Sequence, residues 1–328
     1  MKILLSRTDR IGDLVLSTPA IATVRASFPE AHVAIVTSEY NSVVVERNND
    51  VDEIIVLPHN AKPRQLGARL RGYDVAIALA PRAVDLQLAG ATRAPLRVGY
   101  TYERRWIARL TAALYVNRIM ISEADPELCD RNPHRPVRHE VVQLLDLVAL
   151  AGARRRMLDL RLDVTDADRA AVRDLPSDPI VLHLGQRWFT NGSTLDGTVA
   201  IVEDLARLAP VVITCARDCE AMAPVFERNA SVARLVRGLP FHEWAAVLER
   251  GRVVVTVDTG ATHVASAVHR PTVVAFEHRY FSLNSQEWSP YGVPHVLVQK
   301  PAHDGAAALG RFREEIVGGV ATLLGSPR

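Results

Sequence analysis

The stretch KILLSRTDRIGDLVLSTP, residues 2–19, contains the first complete unit of the fold that this sequence predicts. Residues 2–6 are the apolar run of a buried strand, and a polar turn follows that closes on Gly12. A glycine permits a close backbone approach that a Cβ would obstruct. A helical pattern begins at Asp13, so the stretch predicts a strand, a tight turn and a helix.

The same alternation of strand and helix continues along the whole chain. In the first half, strands are predicted at 2–6, 32–37, 53–57 and 74–79, with helices at 21–28, 65–71 and 140–151. In the second half, strands are predicted at 180–184, 211–215, 253–257 and 272–276, with helices at 197–208, 241–250, 262–268 and 306–324. Such alternation favours parallel sheets covered by helices.

A polar, arginine-rich stretch over residues 152–166 separates the two halves and is predicted to be the linker. We therefore expect an N-terminal domain over 1–155 and a C-terminal domain over 156–328, each of ordinary domain size. Both are predicted to be Rossmann-like, facing one cleft, and the last helix could pack back on the first domain. Open parallel sheets bind ligands beyond the carboxyl ends of their strands, so the loops after the strands are where chemistry is expected.

Composition excludes several classes of protein. The 328 residues carry a formal charge of +2, with +4 in the first 155 residues and −2 in the rest, which is too little for a nucleic-acid binder. No apolar run is long enough to span a bilayer or to serve as a signal peptide, so a cytoplasmic protein is expected. Three cysteines do not form a disulfide framework, and no metal site or GxGxxG or P-loop motif is present in the sequence.

Asp13 is the first candidate catalytic residue. It is predicted near a helix N-terminus, where negative charge is favoured and the carboxyl pKa is held low. A carboxylate fixed in a cleft is a suitable general base. The alternative is that Asp13 only caps its helix, as aspartate often does. Local pattern alone leaves both interpretations open.

The second candidate site is VDTGATH, residues 257–263, which predicts a strand, a turn and a helix start. Backbone N–H groups at such a start, with the hydroxyls of Thr259 and Thr262, would bind a diphosphate. His263 could donate to the same anion. The alternative is an ordinary turn in which Asp258 caps the helix and His263 bonds to the backbone.

Residues 7–37, RTDRIGDLVLSTPAIATVRASFPEAHVAIVT, resemble the N-terminal signature of the heptosyltransferase family, glycosyltransferase family 9. Residues 255–276, VTVDTGATHVASAVHRPTVVAF, resemble the donor-site signature of the same family. The segments LRVGY and HEVVQLLDLVALAG also stand in the expected order. The two signatures lie in different halves of the chain, which makes the resemblance specific.

This resemblance implies a GT-B architecture and an inverting, metal-independent glycosyltransferase without a cofactor. It implies a nucleotide diphosphate sugar as donor and a saccharide or small-molecule acceptor, with lipopolysaccharide biosynthesis as the family's setting. Carried over by position, Asp13 would be the catalytic base and Arg10 and Gly12 would belong to the acceptor loop. The donor nucleotide would be bound by Asp258, Thr259, Gly260, Thr262 and His263.

Two loops depart from the family pattern. Family members usually have a lysine and a tryptophan after the first strand of the second domain, whereas LGQRWFTNGST, residues 184–194, has no lysine. Arg187 would replace that cation, or Thr190 and Ser193 would bind phosphate through their hydroxyls. Residues 277–290 also lack an expected glycine. Both loops should border the donor.

Two further groups of charged residues have competing interpretations. Arg104, Arg105 and Arg109 share a predicted helix with Trp106 and Ile107, which could contact an acidic acceptor or the inner membrane, or could be a solvated amphipathic helix. The Asp-x-Asp pairs at positions 50/52 and 166/168 do not follow a strand on the donor side. We interpret them as solvated turn carboxylates rather than metal ligands.

Three hypotheses of function remain at this point. The first is a heptosyltransferase-like enzyme acting on a lipopolysaccharide-type acceptor. The second is a family relative that glycosylates another acceptor from another nucleotide sugar, which the altered donor loops favour. The third is a non-catalytic protein that binds nucleotide sugars, against which the combination of Asp13, Asp258 and His263 argues.

Overall fold

The computed structural model describes residues 1–103, 105–190, 192–303 and 305–325. The chain divides into two compact units, Met1–Leu162 and Asp163–Arg328. Each unit contains one six-stranded sheet in which every strand pair is parallel. The predicted α/β class with parallel sheets is therefore confirmed.

The first unit has the strand order β3-β2-β1-β4-β5-β6. Its strands are β1 Lys2–Ser6, β2 His32–Ser38, β3 Glu53–Leu57, β4 Val75–Ala78, β5 Leu96–Tyr102 and β6 Arg118–Ser122. Its helices are α1 Ile11–Ser27, α2 Ala83–Thr92, α3 Trp106–Ala113, α4 Pro126–Arg131 and α5 Glu140–Ala149. Short 3₁₀ helices occupy Ser42–Val44 and Pro63–Leu70.

The second unit has the strand order β12-β11-β10-β7-β8-β9. Its strands are β7 Ile180–Leu184, β8 Val211–Cys215, β9 Val232–Val236, β10 Val253–Val257, β11 Thr272–Phe276 and β12 His295–Gln299. Its helices are α6 Asp166–Ala171, α7 Leu195–Leu205, α8 Ala223–Glu227, α9 Phe241–Arg250, α10 Gly260–Ala267, α11 Phe281–Glu287 and α12 Ala306–Gly325. Gln186–Phe189 and Arg217–Met222 form 3₁₀ helices.

All eight predicted strands are present, because a parallel strand buried on both faces is a continuous apolar run. β7, β10 and β11 are buried at every residue. The four strands that were not predicted are β5, β6, β9 and β12. Of these, β6, β9 and β12 lie at sheet edges, where exposed and half-exposed residues interrupt the run.

One prediction about a helix start needs correction. Helix α1 begins at Ile11 rather than at Asp13, so Gly12 lies inside its first turn and does not close the turn before it. The last helix, α12, packs against α7, β10, β11 and β12 of its own unit, where Phe312, Ile316 and Val320 join the core.

The predicted linker is an irregular segment that begins beside α1. Residues 152–165 form no helix or strand. The N–H groups of Arg154 and Arg155 each donate to the Ser27 hydroxyl at 3.0 Å, so the start of this segment lies along the end of α1. Among the described residues, no helix has both the length and the apolar composition that crossing a membrane requires.

Candidate functional site

In each sheet the strand order reverses at one point. There the loops that follow two adjacent strands run to opposite sides, which leaves a crevice at the carboxyl ends of the strands. In the first unit this point lies between β1 and β4, and in the second between β7 and β10. The residues predicted to carry chemistry follow β1, β7 and β10. Both predicted sites therefore lie where open parallel sheets bind ligands.

Arg7 organises the site of the first unit. Its side chain is only 3% exposed, and its guanidinium donates to Asp9 at 2.9 Å, to Glu140 at 3.1 Å and to the Leu79 carbonyl. The same guanidinium lies 3.4 Å from a carboxylate oxygen of Asp13. One buried cation is thus shared among three carboxylates, which fixes their positions relative to the end of β1.

Asp13 occupies the third position of α1, and the N-cap is Arg10. The interpretation of Asp13 as the helix cap is therefore wrong. Its side chain keeps 21% of its surface exposed, which leaves one face open to a ligand. Arg10 is exposed and makes no side-chain cap bond, so it is available beside that carboxylate.

The prediction that helix α1 holds the pKa of Asp13 low is also wrong. Burial raises the pKa of Asp13 to about 7, and the Arg7 guanidinium opposes this shift. The negative charges of Asp9 and Glu140 raise the pKa further. Desolvation and like charges disfavour the ionised form, and here they outweigh one ion pair and the helix start.

Asp85, at the start of α2, is a site residue that sequence analysis missed. Its carboxylate accepts from the Thr8 N–H and from the Thr8 hydroxyl, both at 3.0 Å, and so fixes the loop after β1. The residue is fully buried, and burial raises its pKa to about 7. No local signal separates Asp85 from any other acidic residue in the first turn of a helix.

Arg187 and Asp258 join the two strand ends in the second unit. The guanidinium of Arg187, in the loop after β7, donates to the Asp258 carbonyl at 2.6 Å and to the Asp258 carboxylate. Asn284, from α11, donates to the same carboxylate at 3.5 Å. Arg187 remains 37% exposed, so a cation faces outward at the crevice between β7 and β10.

The predicted donor residues in and after the turn that follows β10 differ in their exposure. Thr259 is the N-cap of α10 without a side-chain cap bond, and Gly260 is the first helical residue; both are half-buried. Thr262 and His263 are buried, and the Thr262 hydroxyl donates back to the Val257 carbonyl at 3.4 Å. The N-cap position of Thr259 shows that Asp258 is not the cap of this helix.

The loop after β7 is held from within and from β12. The Ser193 hydroxyl donates to the Thr190 carbonyl at 3.1 Å, which closes the loop on itself. Lys300, directly after β12, donates to the carbonyls of Arg187 and Thr190 at 2.5 Å each and to Glu277 at 3.0 Å. Its ammonium is fully buried, and this burial lowers the Lys300 pKa.

Lys300 thus brings a lysine to the loop whose own sequence lacks one. Because its ammonium is buried under the loop, Lys300 supports the backbone, and Arg187 presents the exposed positive charge. Gly192 is required in the same loop: it has a φ of +80°, and a Cβ there would lie 1.9 Å from the Pro301 carbonyl oxygen. Arg187 was predictable from the loop's own sequence, whereas only the fold brings Lys300 to the loop.

The two Asp-x-Asp pairs have structural partners. Asp50 accepts from Arg161 at 2.6 Å, Asp52 accepts from the Val33 N–H at 2.8 Å, and Asp168 accepts from the Thr165 N–H at 2.8 Å. The prediction of solvated turn carboxylates is wrong for Asp50 and Asp168, which are buried. Across the described ranges, no three His, Cys, Asp or Glu side chains are grouped as a metal site would need.

The comparison with protein families matches residues 210–304 to the model of glycosyltransferase family 9 (heptosyltransferase). The resemblance to glycosyltransferase family 9 is confirmed. The matched segment includes the turn after β10 and Lys300, whereas Asp13 and Arg187 lie outside it. No curated protein matches the sequence.

Solved structures with this architecture cover nearly all of the chain. The glycosyl transferase family 9 protein of Veillonella parvula DSM 2008 has a TM-score of 0.78 at 18% identity, covering 98% of this chain and 97% of that one. The ADP-heptose lps heptosyltransferase II of E. coli has a TM-score of 0.75 at 17% identity, covering 99% and 98%. E. coli heptosyltransferase WaaC with ADP-2-deoxy-2-fluoro heptose has a TM-score of 0.67 at 18% identity, covering 96% and 99%.

These likenesses show the fold, and the match of residues 210–304 to glycosyltransferase family 9 supports the class of enzyme. The predicted GT-B fold is confirmed, as is the prediction of a glycosyltransferase. The individual roles of Asp13, Arg187 and the turn after β10 are not decided by a shared fold, because one fold serves many reactions. Those roles depend on the chemistry of the two sites.

Proposed function

We propose that this chain transfers a heptose or a related sugar from a nucleotide diphosphate sugar to an acceptor hydroxyl, with inversion and without a metal. The observation that carries this proposal is Asp13, a partly exposed carboxylate whose pKa is raised to about 7 at the first unit's crevice. A base whose pKa lies near the operating pH is deprotonated often enough to act and basic enough to accept a proton.

In the proposed reaction, the acceptor oxygen attacks the anomeric carbon as its proton passes to Asp13. The bond from the anomeric carbon to the diphosphate breaks in the same step, and the diphosphate leaves on the opposite face, which gives inversion. Arg7 holds Asp13 in place at 3.4 Å, and the exposed Arg10 beside it is suited to orient the acceptor. A positioned base of this kind contributes roughly 10²–10⁴-fold to the rate.

The donor diphosphate is assigned to the second unit. The first N–H groups of a helix have no partner inside it and carry partial positive charge, so the start of α10 at Gly260 is suited to an anion. Arg187, which is 37% exposed and paired with Asp258, presents its guanidinium at the adjacent strand end. Such preorganised donors stabilise the charge that develops on a leaving diphosphate.

This arrangement supports a mechanism that uses no cofactor and no metal. The positive charge that a divalent cation would bring to the diphosphate is provided by Arg187 and by the start of α10. Four carboxylates that could have suggested a cation site, in the two Asp-x-Asp pairs, lie outside the strand ends that form the candidate sites. We therefore expect transfer activity to survive EDTA.

The acceptor proposed first is a saccharide of the lipopolysaccharide type, made on the cytoplasmic side of the inner membrane. An acceptor of this kind is carried by a lipid, so a peripheral contact with that membrane is part of the proposal. A second candidate is the same reaction with a small-molecule acceptor and another nucleotide sugar. This second candidate is favoured by one observation: Arg187 stands in the loop where a lysine was expected.

Ligand-induced shifts in melting temperature with ADP, GDP, UDP and their sugars test the donor assignment, because a ligand that binds only the folded state stabilises it. We expect one diphosphate to stabilise the protein selectively, and ADP is the first to examine because the solved WaaC structure contains an ADP sugar. Transfer is then measured with and without EDTA. Activity lost with the chelator and restored by manganese would contradict the metal-independent mechanism, and no stabilisation by any diphosphate would contradict the donor site.

A further inference from the structure

Helix α3 turns its apolar side to solvent. Trp106 is 65% exposed, Ile107 and Leu110 are 63% exposed each, and Leu114, directly after the helix, is 77% exposed. The spacing places these side chains along one side of the helix. Only Ala112 of α3 is buried. Since most helices of a globular protein bury their apolar side, this exposure marks an interaction surface.

The segment around this helix is strongly basic. Residues 93–122 contain six arginines and one acidic residue, Glu103. Glu103 pairs with Arg135 at 2.8 Å, so its charge is compensated from outside the segment. Arg105 and Arg109 are exposed beside the apolar side chains of α3. Arg104 lies outside the described residues.

A basic pocket adjoins the end of the same helix. It has a volume of about 610 Å³, and its lining includes Leu114 together with Lys62, Arg64, Arg93 and Arg97. None of the described residues that line this pocket is acidic. Four cations beside an exposed leucine are a suitable site for anionic groups that stand above an apolar layer, which is the arrangement of a phospholipid surface.

We propose that α3, from Trp106 to Leu114, and the basic pocket beside it form a docking surface for an anionic phospholipid bilayer. Exposed Trp, Ile and Leu enter the boundary between headgroups and acyl chains, and the arginines bind the headgroups. This inference rests on the proposed function for its purpose, since it names the surface that would bring the enzyme to a lipid-linked acceptor.

The position of α3 relative to the first site supports this purpose. All strands of the sheet are parallel, so α3, which follows β5, begins at the same edge as α1, which follows β1 and carries Asp13 in its first turn. The two are connected through Tyr100 of β5, whose hydroxyl donates to Glu140 at 3.0 Å, the carboxylate that also accepts from Arg7. A membrane bound along α3 would therefore extend from this edge, where the helix begins, towards the opposite edge, where Leu114 and the basic pocket lie.

Charge favours a bilayer over a second copy of the chain as the occupant. Two copies packed through α3 would bring the arginines of one against those of the other, and like charges at close range repel. An anionic lipid surface instead attracts each of them. Each basic residue near such a surface strengthens binding by roughly fivefold at physiological salt.

The test is co-sedimentation of the full chain with vesicles of phosphatidylcholine alone and with 30% phosphatidylglycerol, compared at low and high NaCl. We expect the half-binding lipid concentration to be at least about tenfold lower for the anionic vesicles and to rise with salt, because salt screens the headgroup charge. Equal affinity for both vesicles, or no binding to the anionic ones, would overturn the inference.

Two pairs of matched variants locate the surface. Leu110→Ser with Leu114→Ser should raise the half-binding lipid concentration about tenfold or more, while Leu150→Ser with Leu158→Ser, which removes two other exposed leucines, should not. Arg105→Gln with Arg109→Gln should raise it roughly 25-fold and weaken the salt dependence. Arg154→Gln with Arg155→Gln makes the same charge change in the exposed linker and should have little effect.

Two further measurements separate the outcomes. Equal losses in test and control pairs would show a nonspecific charge effect and overturn the assignment to α3. Sedimentation velocity that finds a dimer, abolished by the Leu110/Leu114 pair, without vesicle binding would replace the bilayer by a second copy. Transfer to a soluble acceptor is assayed without vesicles, so that a failed proposed function is distinguished from a failed docking surface.

Discussion

The two crevices of the molecule have the same topology and opposite chemistry. At the first, between β1 and β4, one buried arginine, Arg7, lies among the carboxylates of Asp9, Asp13 and Glu140. At the second, between β7 and β10, a half-exposed arginine, Arg187, lies beside a helix start and pairs with the carboxylate of Asp258. A repeated fold thus carries an excess of negative charge at one site and an excess of positive potential at the other.

This difference supports the proposed division of the transfer reaction between the two units. Burial, with a smaller contribution from the neighbouring carboxylates, raises the pKa of Asp13 to about 7, which suits proton exchange with an acceptor hydroxyl. Exposed positive charge and helix N–H groups suit a diphosphate that gains charge as it leaves. Neither unit alone has both properties. We therefore expect mutations in the first unit to affect proton transfer and mutations in the second to affect donor binding.

The largest expected effect is that of Asp13→Asn. The amide keeps the shape of the side chain but cannot accept the proton, so we expect turnover to fall by roughly 10²–10⁴-fold while donor affinity is unchanged. In the wild type, kcat/KM should rise with pH up to about 7 and then level, since the base must be ionised. The rising limb should be absent from the residual activity of the variant.

Asp13→Ala provides the control for this prediction. Because Arg10 and not Asp13 is the N-cap of α1, the alanine variant should lose the same turnover without the penalty of a lost helix cap. Steady-state kinetics and thermal melts of all three proteins make the comparison. An Asp13→Asn enzyme with nearly wild-type turnover would remove this residue from the mechanism, and Asp9 would be tested next.

Arg187→Gln is expected to have a smaller effect, confined to the second unit. Loss of one charge-assisted contact should weaken nucleotide diphosphate binding by about tenfold or more, and the pH dependence of kcat/KM should keep its midpoint near 7. Arg207→Gln is the matched control, because Arg207 also pairs with an aspartate, Asp204, at 2.7 Å in the same unit. Calorimetry that gives equal affinities for both variants and the wild type would contradict the donor site.

The smallest expected effect concerns the stability of the first unit. Folding raises the pKa of the buried Asp85 to about 7, so between about pH 4 and pH 7 the folded protein binds more protons than the unfolded chain. The free energy of unfolding then falls as pH rises through this range. Asp85→Asn removes that titration. Between pH 5 and pH 8 the free energy of unfolding of this variant should therefore increase by on the order of 1 kcal/mol relative to that of the wild type.

Thermal or urea unfolding of both proteins at the two pH values measures this gain. Asp74→Asn, at an exposed aspartate of the same unit, is the control and should show no such change. A difference between Asp85→Asn and wild type that is the same at pH 5 and pH 8 would show that Asp85 does not titrate in this range.

The sequence predicted those strands in which consecutive residues are all buried. β7, β10 and β11 are short apolar runs with no exposed residue, and their predicted bounds match the structure. The edge strands β6 and β9 consist mostly of exposed and half-exposed residues, so their apolar signal was too weak. The start of α1 was misplaced because its N-cap, Arg10, is not one of the residues that usually mark a cap.

The sites were predictable only where they follow a strand directly. Asp13 and Asp258 stand out because each belongs to a motif at the end of an apolar run. Glu140 and Lys300 contribute through contacts that span 133 and 113 residues of sequence, to Arg7 and Arg187 respectively, and no local pattern encodes such pairings. The raised pKa of Asp13 was missed for the same reason, since the burial and the neighbouring charges that cause it arise only in the folded chain.

The contact of Lys300 with the loop after β7 has a consequence for the synthesis of the protein. Arg187 leaves the ribosome 113 residues before Lys300, which at roughly 5–20 residues per second is a delay of about 6–23 s. During that interval the loop carbonyls have no ammonium to accept from, and Gly192 has no Pro301 to pack against. The loop after β7, part of the proposed donor site, is therefore supported only once residue 300 has been made, and a nascent chain released before that point would lack these contacts.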